Sequence, residues 1–420
     1  MNTPFRYDFV GSFLRPLSLK EARKQFEAGT ISKQELVKVE DACIEDLIAK
    51  QKTAGYHVIT DGEFRRATWH LDFFWEFNGV GHTKTKTGLP FHGEAAMIDD
   101  TYLTGKISYN NNHSFLRHFE FVNQFEDENT VAKLTIPAPA QFLEQMIMPF
   151  AWENTSKYYD TQKQVAEDIV KGYRAFIKDI YAAGCRNLQL DDCSWGMVVD
   201  SSAPVLFGTT KAGLEKIKEQ LLDVNNKAIE GAPKDLVINT HVCRGNFHST
   251  YASSGAYDSV AETLFAKENV NAYYLEFDDE RSGGFECLQK VSGDKKVVLG
   301  LITTKSPKLE DKQKVINRIH EAAKYVPLER LYLSPQCGFA SCEIGNKLTE
   351  KQQWAKLALV KEISPTTQLY FIILFLAVLY FSIAVTPFDF IIQLYHVSHS
   401  KHKVLLQIKS HQRSYHLRWL

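Results

Sequence analysis

Several features that would mark a particular class of protein are missing from this chain of 420 residues. No Gly-x-Gly-x-x-Gly motif or phosphate-binding loop follows any predicted strand, which argues against a nucleotide-binding sheet. The formal net charge is only −1, so the composition lacks the basic excess typical of nucleic-acid binding. Residues 1–8 contain no apolar run, and we therefore expect no secretory signal peptide. The remaining composition is that of a globular protein, with 44% hydrophobic residues to build a large core.

The cysteines do not form the pattern of a disulfide-stabilised secreted domain. There are seven of them, an odd number, and they are scattered widely along the chain. Such a distribution is typical of a reducing compartment, where thiols are kept for packing or for metal binding. We therefore expect a cytoplasmic protein.

Apolar strands alternate with helical stretches along most of the chain. Eight strands are predicted, and they begin near residues 5, 57, 133, 187, 237, 272, 296 and 330. Each is followed by a connection that is mostly helical, which indicates a parallel sheet with right-handed crossovers. Eight such units within residues 1–362 predict an α/β fold of the (β/α)8 TIM-barrel type. A doubly wound open sheet is the alternative, and the missing phosphate-binding motifs argue against it.

A long insertion is predicted after the second strand, over residues 64–130. It is rich in aromatic residues, among them Trp69, Phe73, Phe74, Trp75 and Phe77. A connection of this length is unusual and suggests a functional role such as substrate contact. The alternative is a hydrophobic cluster that covers one end of the barrel.

Polar residues occur where the predicted strands end. They are Ser12, Glu63, Asp191, His241, Cys243, Glu276 and Cys337. In a (β/α)8 barrel the carboxyl ends of all strands meet at one face, and active sites are built there. The sequence therefore predicts that these side chains gather at one rim.

The strand predicted over Val237–Cys243 ends in a histidine and a cysteine two residues apart. The period of two in a strand places His241 and Cys243 on the same side. With Glu276 and Cys337 from two later strand ends, they offer nitrogen, sulfur and oxygen ligands suited to zinc. Two thiolates and a carboxylate would leave such a site with a charge of about −1, which suits holding a substrate thiolate better than activating water.

Simpler interpretations of the same residues stay open. Cys243 and Cys337 can be small hydrophobic residues of the core. Glu276 can be an ordinary ion-pair partner at the barrel rim.

Six short segments resemble the catalytic barrel of cobalamin-independent methionine synthase and its single-barrel homologues. They are Val10–Pro16, Asp61–Arg66, Leu190–Asp192, His241–Cys243, Leu275–Glu276 and Ser334–Gly338. They run in family order over residues 5–362. The His-x-Cys, Glu and Pro-x-Cys-Gly set is the specific part of this resemblance.

The resemblance implies a function and a set of site residues. It implies a Zn²⁺ cofactor that binds the sulfur of homocysteine, and a methyl group that passes to this thiolate to form methionine. The implied zinc ligands are His241, Cys243, Glu276 and Cys337, and the implied contacts to the amino-acid part of homocysteine are Gly11, Ser12, Glu63 and Asp191. The implied methyl donor is a methylfolate or a methyl-corrinoid protein. Alkyl transfer to another thiol and a non-catalytic zinc barrel are the alternatives.

One position departs from the family pattern. The family segment that contains the catalytic histidine aligns with Thr304–Pro307. Lys305 stands at the position of that histidine. The resemblance therefore places Lys305, with Asp191, among the candidate catalytic residues, and Lys305 is the candidate proton donor.

The resemblance ends at Ser364, and the sequence changes character there. We therefore predict a barrel domain over residues 1–362 and a separate tail over residues 363–420. Leu369 to Val385 contains no charged residue and is at the lower limit for crossing a membrane, which takes roughly 17–25 residues. A membrane anchor, a non-native extension and a buried helix are the three interpretations of this segment.

Overall fold

The computed structural model describes residues 1–364 and, in the tail, the backbone of three strands. The chain divides into two compact units, Met1–Ser364 and Pro365–Leu420. The tail strands Phe390–Tyr395, Leu405–Ser410 and Ser414–Arg418 form an antiparallel sheet. The apolar segment from Leu369 to Val385 lies outside the described residues. Within the described part of the chain, no helix has the length and apolar character that a membrane crossing demands.

Six parallel strands in chain order form the main sheet of the first unit. They are Leu134–Pro137, Asn187–Asp192, Val237–Val242, Ala272–Glu276, Lys296–Ile302 and Leu331–Pro335. Their residues are almost all buried, as expected for strands covered on both faces. The continuous parallel pairing places all their carboxyl ends at one edge.

Two shorter segments close this sheet into a barrel. Val58–Ile59 pairs in parallel with Val131–Ala132, just before the first strand of the main sheet. At the opposite edge, Tyr7 forms a parallel bridge with Leu333. The N-terminal segment also contacts the chain that follows Val58–Ile59, because the Phe13 amide donates a hydrogen bond to the Gly62 carbonyl at 3.0 Å. The predicted (β/α)8 fold is confirmed.

Helices follow most of the strands. The longer ones are Leu17–Glu27, Lys33–Thr53, Gln162–Ala182, Gly213–Ile229, Asp258–Lys267, Lys312–Ala322 and residues 350–364. Shorter ones are Pro139–Ile147, Pro149–Thr155, Ser194–Val199 and Ala203–Leu206, with single 3₁₀ turns at Glu280–Ser282, Glu286–Lys290 and Leu328–Arg330. Capping boxes begin two of the long helices, at Ser32 with Glu35 and at Thr161 with Gln164, so these boundaries are encoded locally.

The insertion over residues 64–130 folds as two β-hairpins and two helices. The hairpins pair Asn78–Thr83 with Asp100–Ser108 and Leu89–Phe91 with Glu94–Ala96, and the helices are Leu71–Phe74 and Ser114–Asn123. Phe73 packs on Tyr173 and Phe176 of a barrel helix, and Phe74 stacks on Phe142 with ring centroids 4.2 Å apart. These two aromatic residues therefore belong to the hydrophobic core.

Candidate metal and substrate site

Three of the four predicted zinc ligands meet at the carboxyl edge of the sheet. His241 is the penultimate residue of the strand Val237–Val242, Cys243 directly follows this strand, and Cys337 lies two residues after the strand Leu331–Pro335. Their ligand atoms all lie within 4.8 Å of one another, and the Cys243 and Cys337 Sγ atoms are 3.6 Å apart. All three residues are buried. This is a compact donor set of one imidazole and two thiols.

The imidazole of His241 is oriented by a hydrogen bond on its far side. Its Nδ1 atom lies 3.2 Å from the Tyr274 carbonyl oxygen, which can only accept. Nδ1 therefore carries the proton, and Nε2 is left as the atom that can bind a metal. Nε2 is buried and has no hydrogen-bond partner. An unpartnered nitrogen beside two thiols fits a Zn²⁺ ion.

Glu276, the fourth predicted ligand, is fully buried but faces a different set of partners. Its Oε2 atom accepts a hydrogen bond from the Arg244 amide at 2.9 Å. Its Oε1 atom lies 3.0 Å from Arg281 Nη2 and 3.2 Å from Lys305 Nζ. The structure thus brings Lys305 and Glu276 together and leaves the Glu276 oxygens out of the close group of three ligands.

Cys193 is a site residue that the sequence analysis did not identify. It follows the strand Asn187–Asp192, in which Asp192 lies opposite Val242 of the His241 strand. Cys193 and Cys243 are the next residues after this pair, so they lie side by side just beyond the ends of the two strands. Hydrogen bonds with Cys193 and then Cys337 hold the pKa of Cys243 well below its usual value. Its position directly after Asp191 and Asp192 was the available signal.

Two predicted substrate-binding carboxylates lie at the same face. Glu63 is buried in a left-handed backbone conformation with φ of 62°, and its Oε1 atom accepts from the Thr135 hydroxyl at 3.0 Å. Its Oε2 atom has no hydrogen-bond partner. Asp191 Oδ1 accepts from Gln189 Nε2 at 2.7 Å. A free carboxylate oxygen on a strained residue is an arrangement found at ligand-binding positions.

Electrostatics couples these carboxylates to each other and to His241. Burial raises the pKa of Asp191 to about 7, with nearby His241 lowering it and the charge of Glu63 raising it further. Burial likewise raises the pKa of Glu63, although Arg66 and Arg15 oppose the shift. A ligand cation between the two would relieve both the burial cost and their mutual repulsion. The pair is therefore suited to an ammonium group.

The Gly11–Ser12 turn connects the carboxylate side of the site to the thiol side. The Ser12 carbonyl accepts from the Phe339 amide at 2.9 Å, and the Ser12 Oγ atom accepts from the Ala340 amide at 3.3 Å. A Cβ atom at residue 338 would clash with Ser12 Oγ, so Gly338 allows the Cys337 loop to pack closely against the Gly11–Ser12 turn. The loop that carries Cys337 is thereby fixed against the N-terminal segment.

Comparison with known proteins agrees with this geometry. The sequence model of the family described as "Cobalamin-independent synthase, Catalytic domain" matches residues 138–359. The uncharacterized protein YxjH of Bacillus subtilis is 42% identical over 363 residues, which are 86% of this chain and 94% of the relative. A methionine synthase of Sulfolobus acidocaldarius is 25% identical over 334 residues, which are 78% of this chain and 84% of the relative.

A solved structure shows the same fold. A Listeria monocytogenes protein assigned as a vitamin-B12-independent methionine synthase superposes with a TM-score of 0.68 at 35% sequence identity, covering 87% of this chain and 98% of the other. The residues matched by the family model, 138–359, include the strand ends that carry His241, Cys243 and Cys337. The chain belongs to the cobalamin-independent methionine synthase family.

Proposed function

We propose that this protein is a zinc-dependent methyltransferase that methylates the thiol of homocysteine and forms methionine. Family membership supports methyl transfer in general. The observation that carries the zinc and thiol assignment is the buried His241, Cys243 and Cys337 set, in which the His241 Nε2 atom has no hydrogen-bond partner. The carboxylates of Asp191 and Glu63 at the same face support an amino-acid substrate rather than a simple thiol.

The protein's own residues account for binding and orientation. His241, Cys243 and Cys337 would hold the zinc, which when bound keeps a coordinated thiol deprotonated at neutral pH. Asp191 and Glu63 accept hydrogen bonds from the substrate ammonium and so fix the direction of the side chain. Burial of the site excludes water and holds thiol and methyl donor together, which removes much of the entropic cost of a two-substrate reaction.

The remaining predicted site residues also have roles in this proposal. Gly11 and Ser12 shape the wall between the carboxylates and the Cys337 loop. Glu276 is proposed as a ligand that can give way to the incoming thiol, and Lys305 stays a candidate for proton donation. The proposed donor is a methylfolate or a methyl-corrinoid protein.

The assay that tests this proposal uses the zinc-loaded full chain. Homocysteine is supplied with a methyltetrahydrofolate, with its polyglutamate form, or with methylcobalamin, and methionine is measured. We expect methionine from at least one donor and much slower methylation of a thiol that lacks the amino-acid part. Equal rates with both thiols would assign the protein to general thiol alkylation, and no product from any donor would favour a non-catalytic zinc protein.

We also propose that the catalytic function resides in residues 1–362 and acts in the cytoplasm, where homocysteine and methylfolates are available. Residues 363–420 form the predicted tail. Its segment 369–385 is proposed as a membrane anchor, with a non-native extension as the alternative.

A further inference from the structure

Two polar side chains that have no role in the reaction so far contact the substrate-binding carboxylates. Thr135 and Gln189 are paired residues of neighbouring strands in the main sheet, and both are buried. The Thr135 hydroxyl donates to Glu63 Oε1 at 3.0 Å, and Gln189 Nε2 donates to Asp191 Oδ1 at 2.7 Å. Each carboxylate of the pair therefore has its own hydrogen-bond donor, and the two donors lie side by side in the sheet.

The direction of the Gln189 amide is fixed by its two partners. Gln189 and Asp191 lie two residues apart on one strand, so their side chains point to the same side. Gln189 Nε2 also donates to the Val10 carbonyl at 2.9 Å. A carbonyl and an ionised carboxylate only accept hydrogen bonds, and the NH2 group must therefore face both of them.

Stability alone does not explain a glutamine at this position. The Gln189 Oε1 atom is buried and has no hydrogen-bond partner. Burying a polar atom in this way costs free energy that an apolar side chain of similar size would avoid. The contacts of the NH2 group are what the glutamine adds.

Thr135 is constrained on its other side by the Gly11–Ser12 turn. A Cβ atom at residue 11 would lie 2.6 Å from Thr135 Cγ2, so only a glycine lets the turn approach the threonine methyl this closely. The Gly11 carbonyl is held in turn by the Thr60 hydroxyl at 2.9 Å. With its methyl group against the turn, Thr135 directs its hydroxyl to Glu63.

We propose that Thr135 and Gln189 are positioning residues, which hold Glu63 and Asp191 by one oxygen each and turn the other oxygen of each toward the ammonium group of homocysteine. The Glu63 Oε2 atom, which has no hydrogen-bond partner, is the clearest sign of this arrangement. The inference rests on the proposed function and deepens it, because it names the residues that select an amino-acid thiol over a simple thiol. Two carboxylates fixed before the substrate arrives need no ordering when it binds.

The first experiment removes each donor while keeping the size of the side chain, in Gln189→Met and Thr135→Val. We expect the Kd of homocysteine for the zinc-loaded full chain to rise about tenfold in each variant, because a hydrogen bond to a charged group is lost. The Kd of 4-mercaptobutanoate, which lacks the amino group, should change less than about twofold. Isothermal titration calorimetry measures both values. An equal rise for the two thiols would overturn the proposal.

Conservative and matched variants accompany this experiment. Thr135→Ser keeps the hydroxyl and should bind homocysteine within about threefold of the wild type. Thr155→Val is the matched control, because the Thr155 hydroxyl is also buried but donates to the Met146 carbonyl. It should bind both thiols like the wild type, and a loss as large as that of Thr135→Val would overturn the proposal. Metal analysis and circular dichroism check zinc content and folding, and Gln189→Asn gives the same comparison if Gln189→Met does not fold.

Double variants test whether each donor acts through its carboxylate. In Asp191→Asn the charge is already absent, so adding Gln189→Met should weaken homocysteine binding by less than about twofold further. Thr135→Val added to Glu63→Gln gives the same comparison for the other pair. A further loss as large as in the wild-type background would show that the donors act independently of the carboxylates, and it would overturn the positioning role.

Turnover separates this inference from the proposed function. In Gln189→Met, the KM of homocysteine should rise about tenfold while kcat changes less than about threefold, since the thiol and the zinc ligands are untouched. If the zinc-loaded wild type binds homocysteine more tightly than 4-mercaptobutanoate but forms no methionine with any donor, the proposed function fails and the positioning role stands. Equal affinity of the wild type for the two thiols would overturn the positioning role itself.

Discussion

At the scale of single residues, the donor atoms at the strand ends decide whether the protein binds zinc. Cys243 and Cys337 are buried neighbours with sulfurs 3.6 Å apart, and their thiolates are soft ligands that a serine hydroxyl cannot replace at neutral pH. We expect Cys243→Ser and Cys337→Ser each to lower zinc far below about one ion per chain, with the barrel still folded. Metal analysis after dialysis measures this.

Cys193→Ser is the matched control for these two variants. Cys193 lies beside Cys243 but outside the group of three ligand atoms that lie close together. We expect this variant to keep its zinc. Stoichiometric zinc in both ligand variants would contradict the assignment of the site, and loss of zinc from Cys193→Ser would add a fourth sulfur to it.

Asp191 provides a second residue-scale prediction, which concerns substrate and not metal. Asp191→Asn removes the charge that faces the substrate ammonium, and a charge-assisted hydrogen bond contributes roughly 1.5–3 kcal/mol. We therefore expect zinc content to be unchanged and kcat/KM for homocysteine to fall by about tenfold or more. A homocysteine analogue without the amino group should be methylated equally by both proteins, and an unchanged kcat/KM for homocysteine would remove Asp191 from the site.

The pH dependence of that reaction follows from the same residue. Since the pKa of Asp191 is raised to about 7, its carboxylate is ionised above that pH and protonated below it. Homocysteine recognition should weaken as the pH falls through about 7. In Asp191→Asn this part of the pH profile of kcat/KM should be absent, and a profile identical to that of the wild type would contradict the assignment.

Residue-scale inference from sequence succeeded where local geometry determines the outcome. The period of two placed His241 and Cys243 on one side of a strand, and the structure shows their ligand atoms close together. It could not place the Glu276 carboxylate, because its orientation depends on Arg281 and Lys305, which come from other parts of the chain. Cys193 was overlooked because it has no spacing motif of its own.

At the scale of helices and strands, burial explains why some boundaries were predictable and others were not. The six central strands are almost entirely buried, and they were predicted to within about two residues. The strand expected to begin near residue 57 is observed only as Val58–Ile59, and positive φ at Gly62 and Glu63 turns the chain soon after it. The hairpin strands within residues 64–130 show no clear alternation of apolar and polar residues in the sequence, so they were not predicted.

Two buried acids, Glu144 and Asp192, connect a helix with a strand of the barrel and give an element-scale prediction. Burial and then the charge of Asp192 raise the pKa of Glu144, on the helix Pro139–Ile147, to about 8. Its stabilising contribution is complete below the pKa of the unfolded chain, roughly 4.3, and is lost as the pH rises through about 8. Glu144→Gln should remove this loss, so its free energy of unfolding should decline less between these pH values.

Urea titrations across that pH range measure the difference, which amounts to at most about 1.4 kcal/mol per pH unit. Glu219→Gln, an exposed change on the helix Gly213–Ile229, is the control and should follow the wild type. If Glu144→Gln also followed the wild type, Glu144 would not be the protonated group.

At the scale of the whole molecule, the closed barrel and the tail raise separate questions. Barrel closure uses Tyr7 against Leu333. The last helix of the barrel unit is joined to the chain just before the strand Val58–Ile59, because the Tyr56 hydroxyl donates to the Leu357 carbonyl at 2.9 Å. These contacts lie within residues 1–364. The barrel unit therefore has within itself the interactions that close it.

The final prediction compares the full chain with a chain that ends at Ser364. Residues 369–385 expose apolar side chains in every direction if helical, and such a segment needs lipid or another protein surface to cover it. The basic residues that follow would favour anionic headgroups. We expect the full chain to sediment with vesicles that contain anionic lipid, and the shortened chain to stay in the supernatant with zinc bound and homocysteine methylation intact. Equal partitioning of the two chains would exclude the anchor, and loss of zinc on shortening would show that the tail supports the barrel.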